Sequence, residues 1–243
     1  MGRWWQLFGL LFMLLFNGMA IALPLNGRTT AELSAVYPNL FVPAGITFSV
    51  WGLIYLLLIL FVLAPWTART DPGIEQRTTA PFVVSCFANG SWIVAWHYEL
   101  VLLSVLIMGV LLTSLALLYA HTRDARAWMV RIPVSVYLGW ICVATVANIT
   151  ALLVRMGSDP PIPVQVTLTL VMIGVALGLG LWFLRSFRDR SFGLVVAWAL
   201  AGIALRHVGQ GAGASPPVLF AAIGGAALIL SLVVLSSLRP QPR

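Results

Sequence analysis

The chain has 243 residues, of which 60% are hydrophobic and 9% charged, and its net charge of +7 includes no lysine. A soluble domain carries about a quarter charged residues, so this composition excludes a water-facing surface of ordinary polarity and makes lipid the solvent. The arginines stand singly or in small groups between long apolar runs. That spacing suits loops beside anionic headgroups better than a groove for a phosphate backbone, so no nucleic-acid partner is expected.

A helix needs about 20 apolar residues to cross the hydrocarbon core of a bilayer. The runs that qualify lie at roughly 4–23, 44–65, 80–97, 99–120, 132–154, 163–184, 191–206 and 216–238, with the third and seventh the shortest. They are apolar on every face, as helices are, and lack the alternating polarity of a β-barrel. The expected fold is therefore an all-α polytopic membrane protein of eight spans.

In chain order, the first run follows Met1, Gly2 and Arg3, and Ala20-Ile21-Ala22 resembles a signal-peptide cleavage site. The run is of span length, and it is read as a retained span. Pro24, Asn26 and Gly27 begin a loop that reaches Pro43; Pro65, Asp71, Pro72 and Gly73 end the second span. Spans three and four meet at His97, Tyr98 and Glu99 with almost no linker, which predicts a tight antiparallel hairpin. Asp159, Pro160 and Pro161 follow the fifth span, and a glycine-rich turn over 209–215 leads into Pro216 and Pro217 before the last.

Arginine placement orients this set. With the N-terminus in the cytoplasm, the inner segments hold Arg3, Arg69, Arg77, Arg123, Arg126, Arg131, Arg185, Arg188, Arg190, Arg239 and Arg243. The outer ones hold only Arg28, Arg155 and Arg206. The positive-inside rule then places both termini in the cytoplasm, in what is expected to be a bacterial cytoplasmic membrane.

Chemistry-bearing residues are few. No Asp, Glu or Lys lies in mid-span, which counts against ion-driven transport. His97 beside Glu99 has the makings of a pH-sensitive pair, although solvation at the interface is the simpler role. Cys86 and Cys142 lie inside apolar runs without metal-ligand spacing. Nucleophile-elbow, zincin, P-loop and dinucleotide motifs are all missing, so an enzyme is not the leading reading and no obligatory cofactor is expected.

Aromatic and amide groups remain. Trp4, Trp5, Trp66 and Trp128 fall at span ends, where an aromatic belt accounts for them. Trp51, Trp92 and Trp140 keep polar company: Tyr55 follows Trp51 by one turn, Asn89 precedes Trp92, and Tyr137 precedes Trp140. Ala144 and Asn148 continue the Trp140 stripe along one helix face. Such faces suit either a cavity for a planar ligand or plain interhelical packing with asparagine as hydrogen-bonding glue.

These same residues carry a family likeness. Residues 41–55, Phe-Val-Pro-Ala-Gly-Ile-Thr-Phe-Ser-Val-Trp-Gly-Leu-Ile-Tyr, resemble the loop-to-second-helix signature of the tryptophan-rich sensory protein or translocator protein (TspO/MBR) family. Asn89-Gly-Ser-Trp92 resembles its third-helix motif, and Tyr137, Trp140, Ala144 and Asn148 fit its fifth-helix pattern. Residues 23–34 are similar to a stretch of the longer bacterial members. Departures occur at Ala44, where the family usually has a second proline, at Ile46, and at Phe41, which replaces a loop tryptophan.

The resemblance implies a five-helix TspO-like bundle over 1–155, followed by a C-terminal extension of about three transmembrane helices over 156–243. It also implies a pocket between spans two, three and five, formed by Trp51, Asn89, Trp92, Tyr137, Trp140, Ala144 and Asn148. Its ligand would be a planar hydrophobic small molecule, tetrapyrrole- or sterol-like, and family members commonly form homodimers. Three readings follow, in descending order: a ligand-binding or sensory protein, a carrier of apolar cargo, and an enzyme that degrades a bound porphyrin.

Overall fold

The structure, a computed structural model, describes residues 1–23, 25–67, 70–71, 73–211 and 214–238. Pro24, Arg69, Pro72, Arg239 and Arg243, which entered the loop and arginine assignments above, lie outside these described residues. Among the described residues there are nine α-helices and no strand. They are α1 (Gly2–Ala22), α2 (Thr30–Val36), α3 (Val50–Leu63), α4 (Ile74–His97), α5 (Val101–Thr122), α6 (Trp128–Arg155), α7 (Ile162–Ser186), α8 (Arg190–Gly209) and α9 (Pro216–Leu238).

Seven stretches are long and apolar enough to cross a membrane: α1, residues 45–66 around α3, and α5 to α9. The third expected span, α4, stands apart from them. Its 24 residues would reach about 36 Å at 1.5 Å per residue, but it opens on Glu75, Gln76 and Arg77 and carries Ser85, Asn89 and Ser91 further in. Lipid-facing surface is plain elsewhere, as on α5, where Leu102, Leu103, Leu106, Val110 and Leu117 are all exposed. Trp4, Trp5, Trp66 and Trp128 are each about half exposed at helix ends, as an aromatic belt requires.

The chain forms two compact units, one of Met1–Pro38 with Ser49–Gly157, the other of Asn39–Phe48 with Ser158–Arg243. In the first unit, α1 packs on α4, α4 on α5, α5 on α6, and α6 on α3. The buried face of α1 is Gln6, Gly9, Leu10, Met13, Asn17 and Ala20, a stripe at helical spacing. Glycine lets α1 and α4 close up: a Cβ added to Gly90 would stand 2.6 Å from the Phe12 ring, and one added to Gly9 would touch Cys86 at 3.4 Å. The α4–α5 hairpin turns within Tyr98–Leu100, with Glu99 in the left-handed region and the Leu100 amide donating to Ala95 O.

The second unit is built on mutual packing of α7, α8 and α9. Asp189 caps α8 by accepting the Phe192 amide at 3.0 Å. Phe192 stacks on Phe183 at 3.7 Å, and the Arg190 guanidinium holds Ser236. Residues 39–48, which sequence order alone places with the first bundle, cluster with these helices.

Sequence reading expected an open loop between the first two spans, and the structure forms α2 there. Its origin is local. The Thr29 hydroxyl accepts the Glu32 amide, while the Glu32 carboxylate accepts the Thr29 amide at 2.7 Å and hydroxyl at 2.9 Å, a capping box that starts a seven-residue helix. Those hydrogen bonds from Thr29, backbone first, hold the Glu32 carboxyl below its ordinary value. The bonds favour the charged form, so the stabilisation is complete above that ordinary value and disappears as pH falls through the lowered one. The Thr29 amide proton resonance is expected to titrate with a midpoint below that of a free glutamate, and Glu32→Gln is expected to abolish the titration.

Candidate ligand site

Trp51, in the first turn of α3, is the hub of a ring cluster. Around it stand Tyr55 at 5.7 Å and Trp92 of α4 at 6.2 Å, both stacked, and Tyr137 and Trp140 of α6 at 6.1 and 6.2 Å, both edge-on. Offset-stacked and edge-on pairs at these separations are the favourable arrangements of aromatic quadrupoles. Trp51, Trp92, Tyr137 and Trp140 are all buried, and Tyr55 is half-buried. Three helices converge because Trp51 lies in the first turn of α3, Trp92 in the last two turns of α4, and Tyr137 and Trp140 are neighbours on one face of α6.

Amides edge the rings. Asn148, two turns beyond Trp140, accepts the Trp92 indole N–H at 3.1 Å and donates to Ser104 Oγ at 2.9 Å, so one side chain ties α6 to both α4 and α5. Ser104 spends its own proton on Val101 O at 2.8 Å. Asn89 accepts from Asn17 Nδ2 at 2.7 Å, and the second Asn17 proton goes to Met13 O at 2.8 Å. Tyr137, fully buried, donates to Met13 Sδ at 3.8 Å. Ala144 is half-buried, one turn from Trp140 and one from Asn148. The seven residues singled out in sequence therefore all lie in the first unit, on α3, α4 and α6.

The structure adds residues that sequence reading passed over. Trp96 extends the α4 face of Asn89 and Trp92 by one turn; it stacks on Trp92 at 6.0 Å and meets Tyr37 at 5.8 Å. Its buried indole N–H has no acceptor among the described residues. Asn17 lies in the first apolar run, and nothing in the sequence says that it faces Asn89.

His97 and Glu99 go to different partners, so the pair suggested by their spacing does not form. The His97 Nδ1 lies 2.7 Å from Ile93 O, while Glu99 accepts from Tyr37 at 3.2 Å and pairs with Arg28 at 3.5 Å. Partial burial and then the Glu99 carboxylate push the Tyr37 phenol above its ordinary value, so it stays a donor. Asn26, just before α2, closes this corner by donating to His97 O at 3.0 Å.

An open groove of about 700 Å³ lies elsewhere, between the first turns of α1 and α4, lined by Gly2, Trp5, Glu75, Gln76 and Thr79 among others. None of the seven expected site residues lines it. Among the described residues no cluster of His, Cys, Asp and Glu could hold a metal ion.

Comparison with known proteins gives one family. Its model, described as TSPO-like protein, matches residues 3–235 and so takes in the last three helices as well as the motif-bearing region. No curated protein and no solved structure matches the chain.

The Asn148 junction has a measurable weight. Asn148→Leu is expected to lower stability in detergent by about 1 kcal/mol or more, because it strands the buried Trp92 N–H. Trp92→Phe should then cost less in the Asn148→Leu background than alone, with a coupling of about 0.6 kcal/mol in a double-mutant cycle.

Proposed function

The chain belongs to the TSPO-like protein family, and we propose that it binds a planar hydrophobic small molecule, tetrapyrrole- or sterol-like, among Trp51, Asn89, Trp92, Tyr137, Trp140, Ala144 and Asn148. The observation that carries this reading is the convergence of four rings on Trp51 from three helices, bounded by paired amides. Flat apolar walls with a few fixed polar groups are what a planar, mostly apolar ligand requires. A bound ring system would exchange ring–ring contacts for ring–ligand ones at little cost.

The unmatched Trp96 N–H supports a ligand that carries hydrogen-bond acceptors, since a buried donor left without a partner is costly. In the same reading α4 crosses the bilayer as an eighth span. Its Asn89, Ser85 and Thr78 are fully or almost fully buried, α4 packs on α1 and α5, and Asn89 and Thr78 pair with Asn17 and Gln6 of α1. Both termini are then cytoplasmic, in accord with the arginine bias. The absence of a mid-span acidic or lysine side chain favours binding over ion-coupled transport.

Titration of the detergent-solubilised protein with protoporphyrin is expected to give saturable quenching of tryptophan emission. Trp51→Ala and Trp140→Ala should each weaken the apparent affinity by about 3- to 10-fold, the worth of one or two aromatic contacts. A porphyrin and a sterol that both fail to bind saturably would overturn the proposal.

A further inference from the structure

Around the turn between α7 and α8 stand Arg185, Arg188 and Arg190. After Asp159 the sequence holds one acidic residue, Asp189, in the same turn. That carboxylate is buried and caps α8 through the Phe192 amide. Arg190 is committed to α9, its Nε donating to Ser236 Oγ at 3.1 Å and its Nη2 to Ser236 O. Arg185 and Arg188 are exposed, and neither makes a hydrogen bond or an ion pair among the described residues. The α5–α6 turn differs, since there Arg123 pairs with Asp124 at 3.2 Å.

The backbone of this turn is fixed. The Phe187 and Asp189 amides both donate to Phe183 O, at 3.1 and 3.2 Å, and close the end of α7 around Arg188. Arg188 has φ 53°, in the left-handed region where a helix end usually carries glycine. An arginine held there at a conformational cost points to a use for its side chain. Trp182 stands one turn before Arg185 on the same face of α7, half exposed, its ring edge-on to Phe183 and Phe187 at 5.3 and 5.4 Å. Val175 and Val171 continue that face, both exposed. One face of α7 therefore runs from aliphatic side chains through an indole to a guanidinium. With 25 residues, α7 reaches about 37 Å, enough to bring its last turn to the level of the lipid headgroups.

We propose that Arg185, Arg188 and Trp182 form a binding site for an anionic phospholipid: the two guanidinium groups take the phosphate, the indole lies at the glycerol level, and an acyl chain follows Val175 and Val171. Guanidinium groups match phosphate oxygens through paired N–H donors. Two exposed cations without an anion of their own call for a headgroup with net negative charge, which a zwitterionic lipid lacks. A second copy of the chain suits this face poorly, because a twofold contact along α7 between copies of the same orientation sets Arg185 against Arg185. Every residue of the site belongs to α7 or its following turn, so the site is independent of the ring cluster and of any ligand bound there.

The test is native mass spectrometry of the full chain released from nanodiscs of equal phosphatidylglycerol and phosphatidylcholine, reading which lipid stays bound. The wild type is expected to retain phosphatidylglycerol in preference, and added salt should weaken that preference. Arg185→Gln and Arg188→Gln should each lower it by about fivefold. Arg123→Gln removes the same charge from an arginine already paired with Asp124 and should keep the wild-type preference. Arg188→Gly removes the charge and relieves the left-handed backbone together, so it should lose lipid while thermal stability in phosphatidylcholine is kept or raised, which misfolding would not do. A wild type that retains both lipids equally overturns the site. So does an equal loss in Arg123→Gln, which would make bulk charge the cause. A dimer that excludes the lipid and dissociates in Trp182→Ala overturns it as well, and assigns the face to a second copy.

Discussion

Inside hydrocarbon, apolar side chains gain little by leaving lipid for one another, so helices are held by close approach and by the few polar groups that cannot face the tails. This constraint organises the first unit. Gly9 and Gly90 bring α1 against α4, and Asn17 meets Asn89 across the same seam. Asn148 does more with one amide, reaching Trp92 on one side and Ser104 on the other. With those seams set, rings from α3, α4 and α6 meet at Trp51.

In the proposed reading the arrangement serves two needs with the same residues. Rings stacked at about 6 Å fill space as any core does, yet they are flat, rigid and interchangeable with another flat partner. The asparagines have no such freedom, because each proton or lone pair already committed in the dry interior must be matched if it moves. Rings are thus the exchangeable part and amides the fixed frame, a division suited to admitting a ligand without loosening the bundle.

Much of this was legible in the chain. Long apolar runs gave the helices, and the spacing of Trp140, Ala144 and Asn148 gave the α6 face. Helix ends were less visible, because α4 begins at Ile74 and α6 at Trp128, where polar or interfacial residues carry the helix past the apolar run. The same polarity is why α4 does not stand out as a span. The Thr29–Glu32 capping box was readable, but a seven-residue helix leaves no hydropathy signal. Partners such as Asn17 for Asn89, Ser104 for Asn148 and Trp198 for Thr47 could not be read, since periodicity says which face a residue occupies and not what stands opposite.

The interleaving of the two units bears on biosynthesis. Five helices, α3 to α7, are translated between segment 39–48 and the surface that receives it, around Gly202 of α8. Contacts between residues so distant in sequence form late. Segment 39–48 must therefore wait, untethered, until α8 has been made. A nascent chain stalled before that point already holds every residue of the ring cluster, while segment 39–48 still lacks the partners that Ala44 and Thr47 find on α8.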